Sequence, residues 1–332
     1  MKLPGSGDDD LRFEQLSVNY YYHMAFGTSI NLFQDATTYP KIIGFFYLLG
    51  APNKMIPGLI NITIHTITII LLYQISKYMF KNEKVALVSS FLYTIYPLTM
   101  LSTIITLREV FIILFILIFV LNLIKFHDTK NIIYIFFSII SIFLGSLFHI
   151  GVIGLILCLI GYYLIYMKGP FVIKVILALV MLVGFAGFIL NSNNSKIQSN
   201  IDKNNQIQQF NTTSSRADYI SKNQSNSILT NIEQEIYFVI KPLPWEVRSG
   251  SDIVGFGNIA FILFSIYCAI RIYKESHNEK IIIVLMTVIS LYLTFALGTF
   301  NYGTALRHRD KSSMLLIMFL VYYFLIYKKN KI

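Results

Sequence analysis

Apolar and polar positions fall in long blocks along this chain: runs of about 16 to 25 nearly uncharged residues are closed by short charged, Gly/Pro or polar breaks. A run of that length matches a bilayer core roughly 30 Å thick. Nine spans are expected on this basis: Met55–Tyr78, Val85–Thr106, Val110–Lys125, Ile132–Phe148, Ile150–Met167, Phe171–Leu190, Val254–Tyr273, Ile281–Thr299 and Ser312–Tyr327. A backbone in lipid must satisfy its own hydrogen bonds, so the expected fold class is all-α, a polytopic transmembrane bundle of about nine helices. At Phe148-His149-Ile150-Gly151 two spans meet with hardly any loop; a short hairpin is the expectation, with a single broken helix as the alternative. The chain then divides into an N-terminal loop over 1–54, helices one to six over 55–190, a polar loop over 191–253 and helices seven to nine over 254–332, with a basic loop at 300–311.

Composition strengthens the membrane reading, since 55% of residues are apolar and only 13% charged. A formal charge of +10 would suit a nucleic-acid binder, but the charges flank apolar spans and form no basic domain. They are better read as topology and contact with lipid headgroups, and no nucleic-acid partner is expected. Cys158 and Cys268 each lie inside an apolar run, so neither a disulfide framework nor a zinc or iron–sulfur ligand set is expected.

Charge also orients the chain. Lys77, Lys81 and Lys84, then Lys125 and Lys130, Lys168 and Lys174, Arg271, Lys274 and Lys280, and finally Lys328, Lys329 and Lys331 fall on one side, which is read as cytoplasmic. Thirteen of the seventeen carboxylates fall on the other side. This topology sends residues 1–54 across the membrane with no signal peptide and no helix ahead of them. A preceding helix missing from this sequence is therefore expected, giving ten helices with the N-terminus inside; a naturally translocated N-terminal tail is the alternative.

Candidate chemistry gathers on the outer face. The tract Asn191 to Asn231 holds ten Asn among many Ser and Gln, cannot bury a core of its own and is expected as an external loop or lid. Sequons at Asn193, Asn211 and Asn223 carry little weight in so Asn- and Ser-rich a tract. Beyond it, Lys241-Pro-Leu-Pro-Trp-Glu-Val-Arg248 returns the chain to the interface, with Trp245 suited either to anchoring at headgroup depth or to substrate contact. The remaining outer candidates are Asp8, Asp9 and Asp10 with Glu14, the pair Arg108-Glu109, His149, Glu246 with Arg248, and Arg307-His308-Arg309-Asp310-Lys311. A carboxylate here can take the proton of a sugar hydroxyl, and guanidinium groups can neutralise a phosphate leaving group by bidentate hydrogen bonds. Each set also has a plainer reading: a solvated tail for the aspartates, a local ion pair for Arg108-Glu109, headgroup contact for Arg307 to Lys311, and a structural helix-end histidine for His149. Asn61, His65 and Asn122 lie within spans and are read first as interhelical hydrogen bonds.

The segments GSGDDDLRFE, TYPKIIGFFYLLGAPNKMIPGLINITIHTITIILLYQISKYMF and YPLTMLSTIITLREV resemble the first external loop and following helices of GT-C superfamily membrane glycosyltransferases, close to the bacterial protein-mannosyltransferase-like members. PLPWE and FNYGTALRHRDK are similar to segments of membrane proteins from surface-polysaccharide clusters, among them O-antigen polymerases. The resemblance implies an acidic residue of the first external loop as base, falling on Asp8, Asp9 or Asp10. It also implies arginines at the lipid phosphate, best matched by Arg108, Arg307 and Arg309. Such enzymes possess a transmembrane helix ahead of the acidic loop, which is absent here. With Glu109, His149, Trp245, Arg248, His308 and Lys311 added as substrate contacts, the expected function is transfer of a sugar from a polyprenyl-phosphate or polyprenyl-diphosphate donor to a glycan or lipid-linked acceptor. The setting implied is the extracytoplasmic face of a bacterial plasma membrane. The alternatives are a polymerase of lipid-linked O-antigen or capsular repeat units and, ranked below both, a lipid-linked sugar transporter. Dependence of the carboxylates on Mg²⁺ or Mn²⁺ is left open.

Overall fold

The computed structural model describes residues 9–30, 32, 37–170, 174–176, 179, 228–297, 299 and 302–328. Among them every regular element is a helix. The helices are α1 (Asp9–Phe26), α2 (Thr38–Tyr47), α3 (Met55–Phe80), α4 (Glu83–Thr94), α5 (Pro97–Ile104), α6 (Glu109–Thr129), α7 (Ile132–Phe148), α8 (Leu155–Tyr166), α9 (Ile228–Ile240), α10 (Gly250–Ser276), α11 (Glu279–Leu297) and α12 (Tyr302–Tyr322). Short 3₁₀ turns at Ile150–Gly154 and Pro244–Glu246 precede α8 and α10, and α12 closes in a π-helical turn, Tyr323–Tyr327. Among the described residues five helices are long and apolar enough to cross a membrane, and a sixth span is added if the bent pair α4 and α5 is counted as one. α7 and the stretch Ile150–Tyr166 are apolar but shorter. The chain is thus a polytopic helical membrane protein, and the expected span Phe171–Leu190 lies outside the described residues except at 174–176 and 179.

The chain forms two compact units: one from residues 1–153, 264–284 and 309–332, the other from 154–263 and 285–308. In the first unit α6 is central, packed against α3 and α7. Its 21 residues reach about 30 Å at roughly 1.5 Å per residue. It is apolar on every side and buried along most of its length, as a helix without a polar face must be. α3 and α6 each end on a lysine in the left-handed region, Lys81 at φ 49° and Lys130 at φ 56°. The lysine N–H caps the carbonyl of Lys77 in the first case and of Phe126 in the second. Asn82 and Asn131 then start α4 and α7 by accepting the N–H of Val85 and Ile133.

Three expectations are corrected here. Val85–Thr106 is not one straight span: α4 stops at Thr94, and α5 leaves at 55° to it. Pro97 is the cause, because it lacks an N–H and forces Tyr96 into an extended conformation, φ −68° and ψ 118°, before opening the next helix at its first position. The segment 1–54 is not a plain loop, since it contains α1 and α2. α1 buries Phe13, Leu16, Ser17 and Tyr20, the one-sided stripe of an amphipathic helix. Gly44 lets α2 lie directly on α1, for a β-carbon there would sit 2.7 Å from Tyr20 Cβ and 2.8 Å from the Ser17 carbonyl oxygen. Finally, the basic segment near residue 307 is helix, because α12 begins at Tyr302.

In the second unit α8 and α11 meet closely at Gly154, where a β-carbon would stand 2.8 Å from the Ser290 carbonyl oxygen and strike the Thr294 side chain. Cys158 Sγ lies 3.5 Å from Thr287 Oγ1 along the same contact. Gln234 of α9 ties down the end of α11 by donating to the carbonyls of Ala296 at 3.0 Å and Thr299 at 2.7 Å.

Candidate functional site

At one end of the first unit polar side chains from several helices gather, beginning with Asn61, two turns inside α3. Its Nδ2 donates to the carbonyls of Ile105 at 2.8 Å and Leu107 at 3.1 Å, and its Oδ1 accepts from Tyr39 Oη at 3.3 Å. One amide thereby satisfies the α5–α6 connection, which a break between membrane helices would otherwise leave without partners. The connection so fixed delivers Arg108 and Glu109. Arg108 lies over the Phe13 ring, 5.2 Å from its centroid, and Glu109 is buried at the first turn of α6. Burial pushes the Tyr39 hydroxyl far above its ordinary range; the hydrogen bond to Asn61 opposes this, and the Glu109 charge adds to it.

α12 brings the strongest charges. Arg309 is 0% exposed, Lys311 1% and Asp310 6%, so a run expected as a loop on the outer face is a buried part of a membrane-length helix. Asp310 Oδ2 accepts from Thr99 Oγ1 of α5 at 3.2 Å, and Lys311 and Glu109 both lie within electrostatic reach of it. Thr68 Oγ1 sits 3.3 Å from Tyr93 Oη, and the His65 ring packs 5.0 Å from that of Tyr93. A buried charge is retained only with compensating partners, and ionisable groups inside membrane helices mark functional positions by default.

The acidic cluster separates into unlike members. Asp8 lies outside the described residues. Asp9 forms a partly exposed ion pair with Arg12 at 3.7 Å, the local arrangement of a helix first turn. Asp10 keeps Oδ1 buried with no hydrogen-bond partner among the described residues. Asp10 precedes Phe13 by three residues and shares its face of α1, the face that carries Arg108. The structure therefore brings Asp10, Arg108 and Glu109 to one end of the first unit, where Asp310, flanked along α12 by Arg309 and Lys311, joins Thr99.

Other expected residues lie elsewhere. His149 organises the turn after α7, its Nδ1 accepting the Gly151 N–H at 3.0 Å while its own N–H caps Gly145. Asn122 donates to the Ile118 carbonyl of its own helix, contrary to the interhelical bond expected. In the second unit His308 Nδ1 lies 2.9 Å from Thr299 Oγ1 and its ring 4.8 Å from that of Phe295; Arg307 belongs to the same unit and is half-buried. The Trp245 turn is braced from within: Glu246 accepts the Leu243 N–H at 2.9 Å and pairs with Lys241 at 3.1 Å. Asp252 accepts the N–H groups of Arg248 and Ser249 at 3.0 Å each. Trp245 stands 79% exposed on this turn. Sequence reasoning passed over Thr99, Tyr93 and Glu235; burial pushes the Glu235 carboxyl up to about 8. A threonine two residues after a helix-opening proline carries no local signal of its partner 211 residues away. No group of three or more His, Cys, Asp or Glu side chains able to hold a metal ion occurs among the described residues.

Comparison of the chain with protein-family models, with curated proteins and with solved structures gives no match.

Proposed function

We propose that this protein is an integral membrane glycosyltransferase of a bacterial plasma membrane, transferring sugar from a polyprenyl-phosphate-linked donor at the extracytoplasmic face during synthesis of cell-surface polysaccharide or glycoconjugate. The observation that supports it is the burial of Arg309, Asp310 and Lys311 on α12, with Asp310 bonded to Thr99, at the end of the unit that also holds Asp10, Arg108 and Glu109. Membrane-embedded cations next to carboxylates are what such a transfer needs. The acceptor hydroxyl oxygen attacks the anomeric carbon, the bond from that carbon to the phosphate oxygen breaks, and its electron pair leaves with the lipid phosphate. Arg108, Arg309 and Lys311 neutralise that charge in a low-dielectric setting, and the hydroxyl proton passes to Asp10. Asp310 and Glu109 hold the cations in position.

A polymerase joining lipid-linked repeat units is the second reading. It is favoured by the fully buried Arg309, set against an acidic cluster of which Asp9 is already engaged by Arg12. The test is transfer of radiolabelled sugar from the host lipid-linked pool in vesicles, comparing wild type with Asp10→Asn, Asp9→Asn and Arg309→Lys at matched expression. Asp10→Asn and Arg309→Lys are expected to lose roughly 100-fold in rate each, with Asp9→Asn near wild type. Loss in Arg309→Lys alone favours the polymerase. Unchanged transfer in both sinks the assignment and returns the chain to transport of the lipid-linked sugar.

A further inference from the structure

The opposite end of the first unit carries a feature that sugar transfer does not use. A cavity of about 640 Å³ opens where α3 and α6 end and α11 begins. Its charged lining is four lysines, Lys77, Lys81, Lys125 and Lys280, against one carboxylate, Asp128. Two of the lysines are engaged: Lys280 pairs with Asp128 at 2.8 Å, and Lys77 reaches Glu83 at 3.5 Å. Lys81 and Lys125 have no carboxylate within 4.0 Å among the described residues. Lys125 instead rests against the Tyr134 ring, 5.8 Å from its centroid.

The local charge decides what this cavity takes. Four lysines less Asp128 and the Glu83 that engages Lys77 leave two positive charges. The carbonyl ends of α3 and α6 set about half a negative charge each against them, so a net positive charge of about one remains. Leu121, one turn deeper on α6 than Lys125, extends the lining toward the apolar interior, and the Tyr78 ring forms a wall against which Lys280 packs at 4.9 Å. A cationic rim over an apolar floor, at the ends of two membrane-length helices, matches a phosphate headgroup with its acyl chains and not a fully hydrated ion. The position also agrees with the side on which the charge bias places the cytoplasm.

We propose that this cavity is a binding site for an anionic phospholipid, with Lys81 and Lys125 holding the headgroup phosphate and Leu121 meeting its acyl chain. The test uses the full chain purified in detergent and native mass spectrometry with phosphatidylglycerol and phosphatidylcholine. Wild type is expected to retain phosphatidylglycerol in preference, and Lys81→Gln/Lys125→Gln to lose that preference by roughly 30-fold. Among the described residues neither lysine makes an ion pair that folding would miss, and an unchanged melting temperature verifies this. Lys41→Gln/Lys54→Gln removes the same charge elsewhere and is expected to leave retention intact. Equal retention of the two lipids by wild type, or an equal loss in the control pair, overturns the proposal. Displacement of the lipid by inorganic phosphate at equal concentration also overturns it, in favour of a soluble phosphate ligand.

Discussion

Glu235 shows how far one side chain can depart from its ordinary chemistry outside the membrane-spanning helices. Burial pushes its carboxyl from 4.5 up to about 8. Between those values the folded chain keeps a proton that the unfolded chain has released. The contribution to stability is therefore complete below about 4.5 and lost as pH rises through about 8. Glu235→Gln, neutral throughout, should be indistinguishable from wild type near pH 4.5 and melt progressively higher than it as pH approaches about 9; parallel melting curves across that range would remove the claim. At this scale the sequence was an uneven guide. Arg108, Arg309 and Asp10 stand out as candidates because charge is rare in so apolar a chain. Glu235 does not, since its shift comes from burial, which the local sequence does not state, and Asp9 could not be told from Asp10 without knowing which face of α1 each occupies.

Helices were legible wherever a lysine or asparagine closed an apolar run, which is why α3, α6, α7, α10 and α11 lie close to their expected bounds. α12 was not, because hydropathy counts a charge as exposed whatever its partner. Residues 302–311 consequently read as loop, although they are helical and mostly buried. The bend between α4 and α5 was marked in the sequence by Pro97, whose effect on the preceding residue overrides an otherwise continuous apolar run. Asn61 and Asn122 make the same point in pairs: identical side chains in similar spans, one joining three elements and the other bonding back to its own helix. Asn61→Ala strands two backbone carbonyls and should cost about 2 to 4 kcal/mol, whereas Asn122→Ala should cost well under about 1 kcal/mol. Thermal melting of the two variants in one detergent checks the contrast, and similar losses would refute it.

For the whole chain, the charge bias makes a directional statement. Lys54 and Lys81 bracket α3, a helix of 26 residues that reaches about 39 Å, and the two native cysteines, Cys158 and Cys268, are both 0% exposed. Lys54→Cys should react with a membrane-impermeant maleimide on intact cells, and Lys81→Cys only after permeabilisation; the reverse pattern would invert the topology and every assignment built on it. The charges of α12 bear on biogenesis as well. Its most apolar window has a mean hydropathy of 1.4, against 2.6 for α6. A lone helix carrying Arg309, Asp310 and Lys311 would meet a penalty of about 3 kcal/mol for each charge it brought to the bilayer centre. Partitioning of α12 from the translocon by itself is thus disfavoured. Thr99 and the helices around it are made earlier in translation, so when α12 leaves the ribosome a polar dock for its charges already stands in the membrane, and its insertion becomes an act of assembly.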